Sequence, residues 1–285
     1  MRWQMGRRSE NVEDLRGAGG RMRGGMKMGC GTVLLVIIIS FLFGQNPLQL
    51  LSILSDGGGS MSLPQNYQPT AEENQAAEFV SVILGDMEDT WPSLLRPMGV
   101  PYVPPKLVLF SDMVESACGY GSATSGPFYC PPDQKIYIDL SFFNELHRLG
   151  APGDFAQAYV IAHEVGHHVQ NLLGVSDKVR RLQSQVGEAE ANALSVMLEL
   201  QADCYAGVWA YHANQQRQVL EPGDVEEGLR AAASIGDDRL LRMSGRAVQP
   251  ESFTHGSSEQ RAQWLRIGLT TGDCDECDTF ARMTQ

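Results

Sequence analysis

Basic residues are scarce in this 285-residue chain: 22 Lys and Arg stand against 34 Asp and Glu, a formal net charge of −12. Seven basic residues and three acids fall within the first 28 positions, so 15 and 31 remain beyond them, a net of about −16. A surface of that sign repels a phosphate backbone, which argues against nucleic acid as a partner. No repeat of solenoid length occurs, which excludes a stacked-repeat scaffold. The six cysteines include a single closely spaced pair, Cys274-Asp-Glu-Cys277. Without a second pair at a suitable spacing, a cysteine-based zinc site is not supported.

Long apolar runs are missing too, with one exception. The chain is uncharged from Gly29 to Ser55, and Cys30 to Phe43 is its most apolar part. A membrane span needs roughly 20 apolar residues, so the weaker second half must contribute. The stretch of about 27 residues before it is long for a signal peptide, and no small-x-small cleavage site follows. We therefore expect an uncleaved transmembrane helix over 30–54, with residues 1–29 as a basic cytoplasmic tail. A flexible linker over 55–70, built around Asp56-Gly-Gly-Gly-Ser60, would lead to one extracytoplasmic domain over 71–285. This describes a single-pass protein of the cell membrane. In an exported domain cysteines read as disulfides. Cys118 and Cys130 flank a Gly-rich turn and are expected to close it, while Cys204 has Cys277 or Cys274 as partner, with Cys274–Cys277 a further option.

What the chain does contain is His163-Glu164-Val165-Gly166-His167. Four residues make about one helical turn, so both imidazoles lie on one face and can grip one Zn2+ ion. Glu164, roughly 100° round the helix, can reach the open side of the metal and act as general base on its water. Apolar residues recur at helical spacing from Phe155 to Leu173, which sets the motif in a buried helix. His168 faces elsewhere and reads as a packing residue. Catalytic zinc commonly takes three protein ligands. A third histidine just downstream is missing, since Gln170 and Leu173 occupy the places of the extended pattern. Glu199 supplies the missing donor, on a second helix rich in apolar neighbours. Asp203, one turn later, is placed to accept the outer N–H of a ligand histidine.

Helices are expected at 71–91, 141–149, 154–173, 187–214, 224–235 and 259–270, and strands at 106–111 and 135–140. The tally gives an α+β class, helix-rich with a small sheet. Lys135 to Leu140 alternates and precedes the metal helix, which makes it the candidate edge strand for an extended substrate.

These blocks resemble a known group. His163-Glu-Val-Gly-His167 followed by Glu199-x-x-x-Asp203 is similar to the gluzincin metallopeptidases. Asn192-x-x-Ser195-x-x-x-Glu199 resembles their membrane-bound branch, although Val196 stands where Arg is usual. His255, followed six residues later by Arg261, is similar to a third block of that branch. Over nearly its full length the chain resembles the bacterial neutral zinc metallopeptidases, and the resemblance implies a zincin-like, membrane-anchored peptidase acting on a peptide or protein. His255 and Arg261 are then candidates to stabilise the oxyanion. A different class, a catalytically idle zinc-binding membrane protein, would have no use for Glu164 as a base.

Overall fold

The computed structural model describes residues 1–17, 67–123 and 126–281. Two compact units divide the chain, Met1–Leu15 together with Pro69–Gln285, and Arg16–Gln68. The expected transmembrane helix over 30–54 and most of the linker lie outside the described residues. Among those described, no helix is long and apolar enough to cross a membrane.

The first unit is helix-rich α+β. In chain order its elements are β1 (Val12–Asp14), α1 (Ala71–Leu95), β2 (Lys106–Phe110), β3 (Met113–Ser116), β4 (Gly119–Ser122), β5 (Phe128–Cys130), β6 (Lys135–Asp139), α2 (Phe142–Arg148) and α3 (Asp154–Leu172). There follow α4 (Val175–Gln183), α5 (Glu188–Arg217), α6 (Asp224–Ser234), α7 (Asp237–Met243) and α8 (Ser258–Thr271). Local chemistry explains several boundaries. A reciprocal pair opens α1, with Glu73 N donating to Thr70 Oγ1 and Thr70 N to Glu73 Oε2. Ser257 and Gln260 open α8 in the same way, and Gly272 in the left-handed region ends it. All six expected helices and both expected strands are present. The short α4 and α7 are additional.

The main sheet has the order β1-β2-β6-β5, parallel except for β5. Leu107, Leu109, Ile136 and Ile138 point into the helical core, while Val108, Phe110 and Tyr137 pack beneath Phe128 and Val114 on the other face. Burial on both faces accounts for the continuous apolar sequence of β2. Strand β6 is therefore interior, and the expectation of an edge at Lys135 to Leu140 is corrected: the outer strand on that side is β5. Trp91 and Trp209 are fully buried in the core. The disulfides Cys118–Cys130 and Cys204–Cys277 select among the pairings left open, and Cys274 is free.

Two close approaches between helices position the histidine motif and its surroundings. A β-carbon on Gly166 would stand 2.9 Å from the Ala202 carbonyl oxygen, so glycine inside the motif lets α3 press against α5. Gly207 and Gly268 do the same between α5 and α8, each facing the other helix's backbone at a distance no side chain could enter.

Residues 1–15 differ from expectation. Instead of belonging to a separate tail, they complete the domain. β1 pairs with β2, Leu107 N donates to Asn11 O at 2.8 Å, and Trp3 packs edge-on against Phe79 at 5.3 Å. The Met1 amine lies 2.8 Å from Asp154, the first residue of α3. Charge counting draws a tail here because two isolated apolar residues and a three-residue strand leave no periodic signal. Paired strands lie about 4.8 Å apart. A bilayer core of about 30 Å cannot pass between them, which is at odds with tail and domain on opposite faces. Met5 and Met243 are exposed. Cysteines placed at each, with Cys30 and Cys274 changed to Ser, are expected to react alike with a membrane-impermeant thiol reagent on intact cells; opposite accessibility would contradict the pairing of β1 with β2.

Candidate metal centre

Helix α3 presents His163 and His167 one turn apart, and α5 lies across them to bring Glu199 to the same point. His163 Nε2 and His167 Nε2 are 3.2 Å apart, and Glu199 oxygens lie 3.1 Å from the first and 3.3 Å from the second. Three corners of a tetrahedron around an ion with bonds of about 2.0–2.1 Å are about 3.3–3.4 Å apart, so the triangle has the size zinc requires. The donor set, two imidazoles and one carboxylate, also suits zinc with one position left open.

The outer ring nitrogens fix the tautomers. His163 Nδ1 lies 2.8 Å from Asp203 Oδ1, and His167 Nδ1 lies 2.9 Å from Gln170 Oε1. Both oxygens can only accept, so each Nδ1 carries a hydrogen and each Nε2 directs its lone pair at the common centre. Gln170 is itself held, its amide donating to Leu198 O at 2.7 Å and to Gln201 Oε1 at 3.1 Å. Asp203, fully buried, also accepts from Tyr159 Oη at 2.6 Å and from two nitrogens of Arg261 at 2.9 Å each. Asp203, one turn after Glu199 on α5, thus has its carboxylate on the outer nitrogen of His163.

The electrostatics of the site favour a cation. Burial alone would make a charged His163 costly, but Asp203 and Glu199 outweigh it and raise its pKa to about 10. Burial likewise opposes ionisation of Glu199, yet the two histidines hold its pKa well below the ordinary carboxylate range. Glu164, buried on the same helix, has its pKa raised, chiefly by desolvation. A second acidic group, Asp154, Asp224 and Glu227, could also hold an ion by spacing, but the Met1 amine lies against Asp154 and Asp224.

A cleft of about 710 Å3 opens onto the triad, lined by Glu164, Phe128, Tyr129, Leu240, His255 and Arg261 among others. His255 sits on a loop gathered by Asp237, whose carboxylate accepts from the backbone N–H of Thr254, His255 and Gly256 at 2.7–3.1 Å. The same carboxylate lies 3.2 Å from His255 Nδ1, and this contact leads in raising the imidazole's pKa. Arg261 borders the cleft, but its guanidinium is turned to Asp203, Tyr159 and His163. His168 faces away, and burial pushes its pKa down to about 4. Sequence reasoning missed Gln170, Tyr159 and Asp237. For Gln170 a signal existed, since a residue three positions past a ligand histidine shares its helical face. For Asp237, brought in by a distant loop, there was none.

The sequence model of the family described as "Putative neutral zinc metallopeptidase" matches residues 1–280, β1 included. The Escherichia coli K12 protein named "Uncharacterized protein YpfJ" is 49% identical over 289 aligned residues, covering 99% of each chain. "Uncharacterized protein Rv2575" of Mycobacterium tuberculosis H37Rv is 42% identical over 222, covering 74% of this chain and 73% of its own. No solved structure matches. The outer hydrogen bonds to the histidines make a direct prediction. Gln170→Ala and Asp203→Ala are each expected to weaken zinc binding about 10–100-fold in competition with a chromogenic chelator. His255→Ala should leave the affinity unchanged.

Proposed function

Since the chain belongs to the neutral zinc metallopeptidase family, we propose that it is a zinc-dependent peptidase that hydrolyses peptide bonds with Glu164 as general base. One observation carries the reading: a buried carboxylate outside the ligand triad lines the same cleft as three donors that have the spacing zinc requires. A zinc ion held by His163, His167 and Glu199 would acidify water and polarise the scissile carbonyl. Everything else is work for the chain's own residues. Glu164, its affinity for protons raised by burial, takes a proton from the attacking water and returns it to the leaving amine. His255, with Nδ1 on Asp237, can turn Nε2 to the cleft and donate to the oxyanion that forms. Arg261 is already committed to Asp203 and would hold that carboxylate in place, and through it His163.

An extended peptide would lie along β5, the outer strand beside the cleft, joining its backbone by hydrogen bonds that do not read side chains. The two disulfides favour an oxidising, extracytoplasmic compartment, and the apolar stretch over 30–54 would hold the domain at a membrane without separating β1 from β2.

Glu164→Gln is expected to abolish chelator-sensitive cleavage of an unstructured protein while zinc content stays near one ion per chain. Full activity in this variant would remove the mechanism. The Asp237–His255 pair predicts a pH effect. A protonated His255 is the better donor, so activity should fall as pH rises through its raised pKa. Asp237→Asn, which removes the charge that sustains the imidazolium, should move that alkaline limb to lower pH in a profile of kcat/KM.

A further inference from the structure

His168 sits beside a metal ligand in sequence yet turns its ring to the opposite side of α3, where it is fully buried. Its Nε2 lies 2.7 Å from Val103 O, a group that can only accept, so Nε2 carries the hydrogen. The neutral ring then offers Nδ1 as an acceptor, and the Tyr129 hydroxyl, 3.0 Å away, donates to it. The remaining capacity of that hydroxyl oxygen is met by Asn171 Nδ2 at 3.1 Å, from the next residues of the same helix. The rings of Tyr129 and His168 also meet edge to face, 5.4 Å between centroids.

Tyr129 is the central residue of β5. One neighbour, Cys130, is tied by its disulfide to Cys118, and the other, Phe128, stacks on Tyr137 at 4.8 Å. Those two contacts hold the face of β5 that looks away from the helices, and the opposite face is held to α3 through Tyr129. A three-residue strand with one hydrogen-bonded neighbour has little stiffness of its own. Pairing with β6 places it in the sheet, and the hydrogen bonds of the Tyr129 hydroxyl with His168 and Asn171 tie it to the helix that carries His163 and His167.

We propose that His168 is a positioning residue for substrate: through Tyr129 it fixes the β5 backbone at the level where an extended peptide must lie for its carbonyl to meet the metal centre. This rests on the peptidase reading and on β5 as the strand that receives substrate. The histidine following the second ligand thus links the helix that carries the chemistry to the strand that aligns the chain to be cut. Any lateral shift of β5 would move the whole peptide relative to Glu164.

The test uses the full-length, zinc-loaded protein and three variants. Tyr129→Phe keeps the ring and removes the tether, and His168→Asn removes it from the other side. Tyr102→Phe is the control, because the Tyr102 ring also packs on His168, at 5.9 Å, while its hydroxyl has no protein hydrogen-bond partner among the described residues. In Tyr129→Phe and His168→Asn, hydrogen exchange at the amides of residues 128–130 should quicken about tenfold while the amides of α3 stay protected. KM for an unstructured ten-residue peptide should rise by a similar factor, with kcat and zinc content within twofold of the parent. Tyr102→Phe should match the parent in every readout. Unchanged exchange at 128–130 in an active Tyr129→Phe protein overturns the proposal, as does a loss confined to kcat. A parent protein that binds zinc but cleaves no peptide overturns instead the peptidase reading beneath it, and the exchange data separate the two failures.

Discussion

A carboxylate sealed from water must find donors on every side or remain protonated, and the Asp203 carboxylate shapes this molecule around that need. It is fully buried and meets the Tyr159 hydroxyl, the His163 ring and two nitrogens of Arg261. These groups come from α3 and α8, while Asp203 itself belongs to α5, so a single anion ties three helices at one point. Removing one partner of a buried pair commonly costs about 3–5 kcal/mol, because the survivor is left charged and unsolvated. The arrangement persists only if all three helices keep their register, and register is what a metal site needs. The glycines where α5 meets α3 and α8 serve the same end, bringing the backbones close enough for the side chains to reach.

Seen from Asp203, the candidate ligand triad and its supports form one graded network. Imidazole nitrogens and Glu199 face the centre, Asp203 and Gln170 orient the imidazoles, and Arg261 neutralises Asp203 in turn. Charge alternates outward through these layers, which is how a low-dielectric interior can hold so many ionised groups. The bond between Cys204 and Cys277 reinforces the network from behind. It begins one residue after Asp203 and closes a loop of 73 residues, a constraint worth about 4 kcal/mol in the chain-entropy account. Gln201, which supports Gln170, also donates to the carbonyl of Cys277 at 3.1 Å, so the C-terminal turn braces the residues that orient His167.

Legibility in the sequence followed the range of the interaction. The histidine pair with Glu164, and Glu199 with Asp203, were readable because each group lies within one helical turn and its apolar surroundings repeat at helical spacing. Meeting of the two helices was inferable from zinc's appetite for a third ligand. The Asp237 loop was not, since four hydrogen bonds accepted by one carboxylate from a segment 17–19 residues away carry no periodic trace. The strand order was hidden for a related reason. Alternation in Lys135 to Asp139 suits an edge or an interior strand equally, and only pairing with β2 on one side and β5 on the other decides. Arg261 was visible as a residue of interest, but the sequence left open whether it faced the substrate or its own interior. The buried acid opposite it resolves its contacts.

The pairing of β1 with β2 has a consequence for how the molecule assembles. Val12 must find Leu107 and the Met1 amine must find Asp154, contacts separated by 95 and 153 positions. Contacts that remote in sequence form slowly, because the chain between them must first give up its freedom. During synthesis β1 leaves the ribosome long before any partner exists, and Trp3 stays without the Phe79 ring that covers it. The sheet's outermost parallel strand therefore cannot pair until residues 107–109 have been made, and the contact between the Met1 amine and α3 must wait for residue 154.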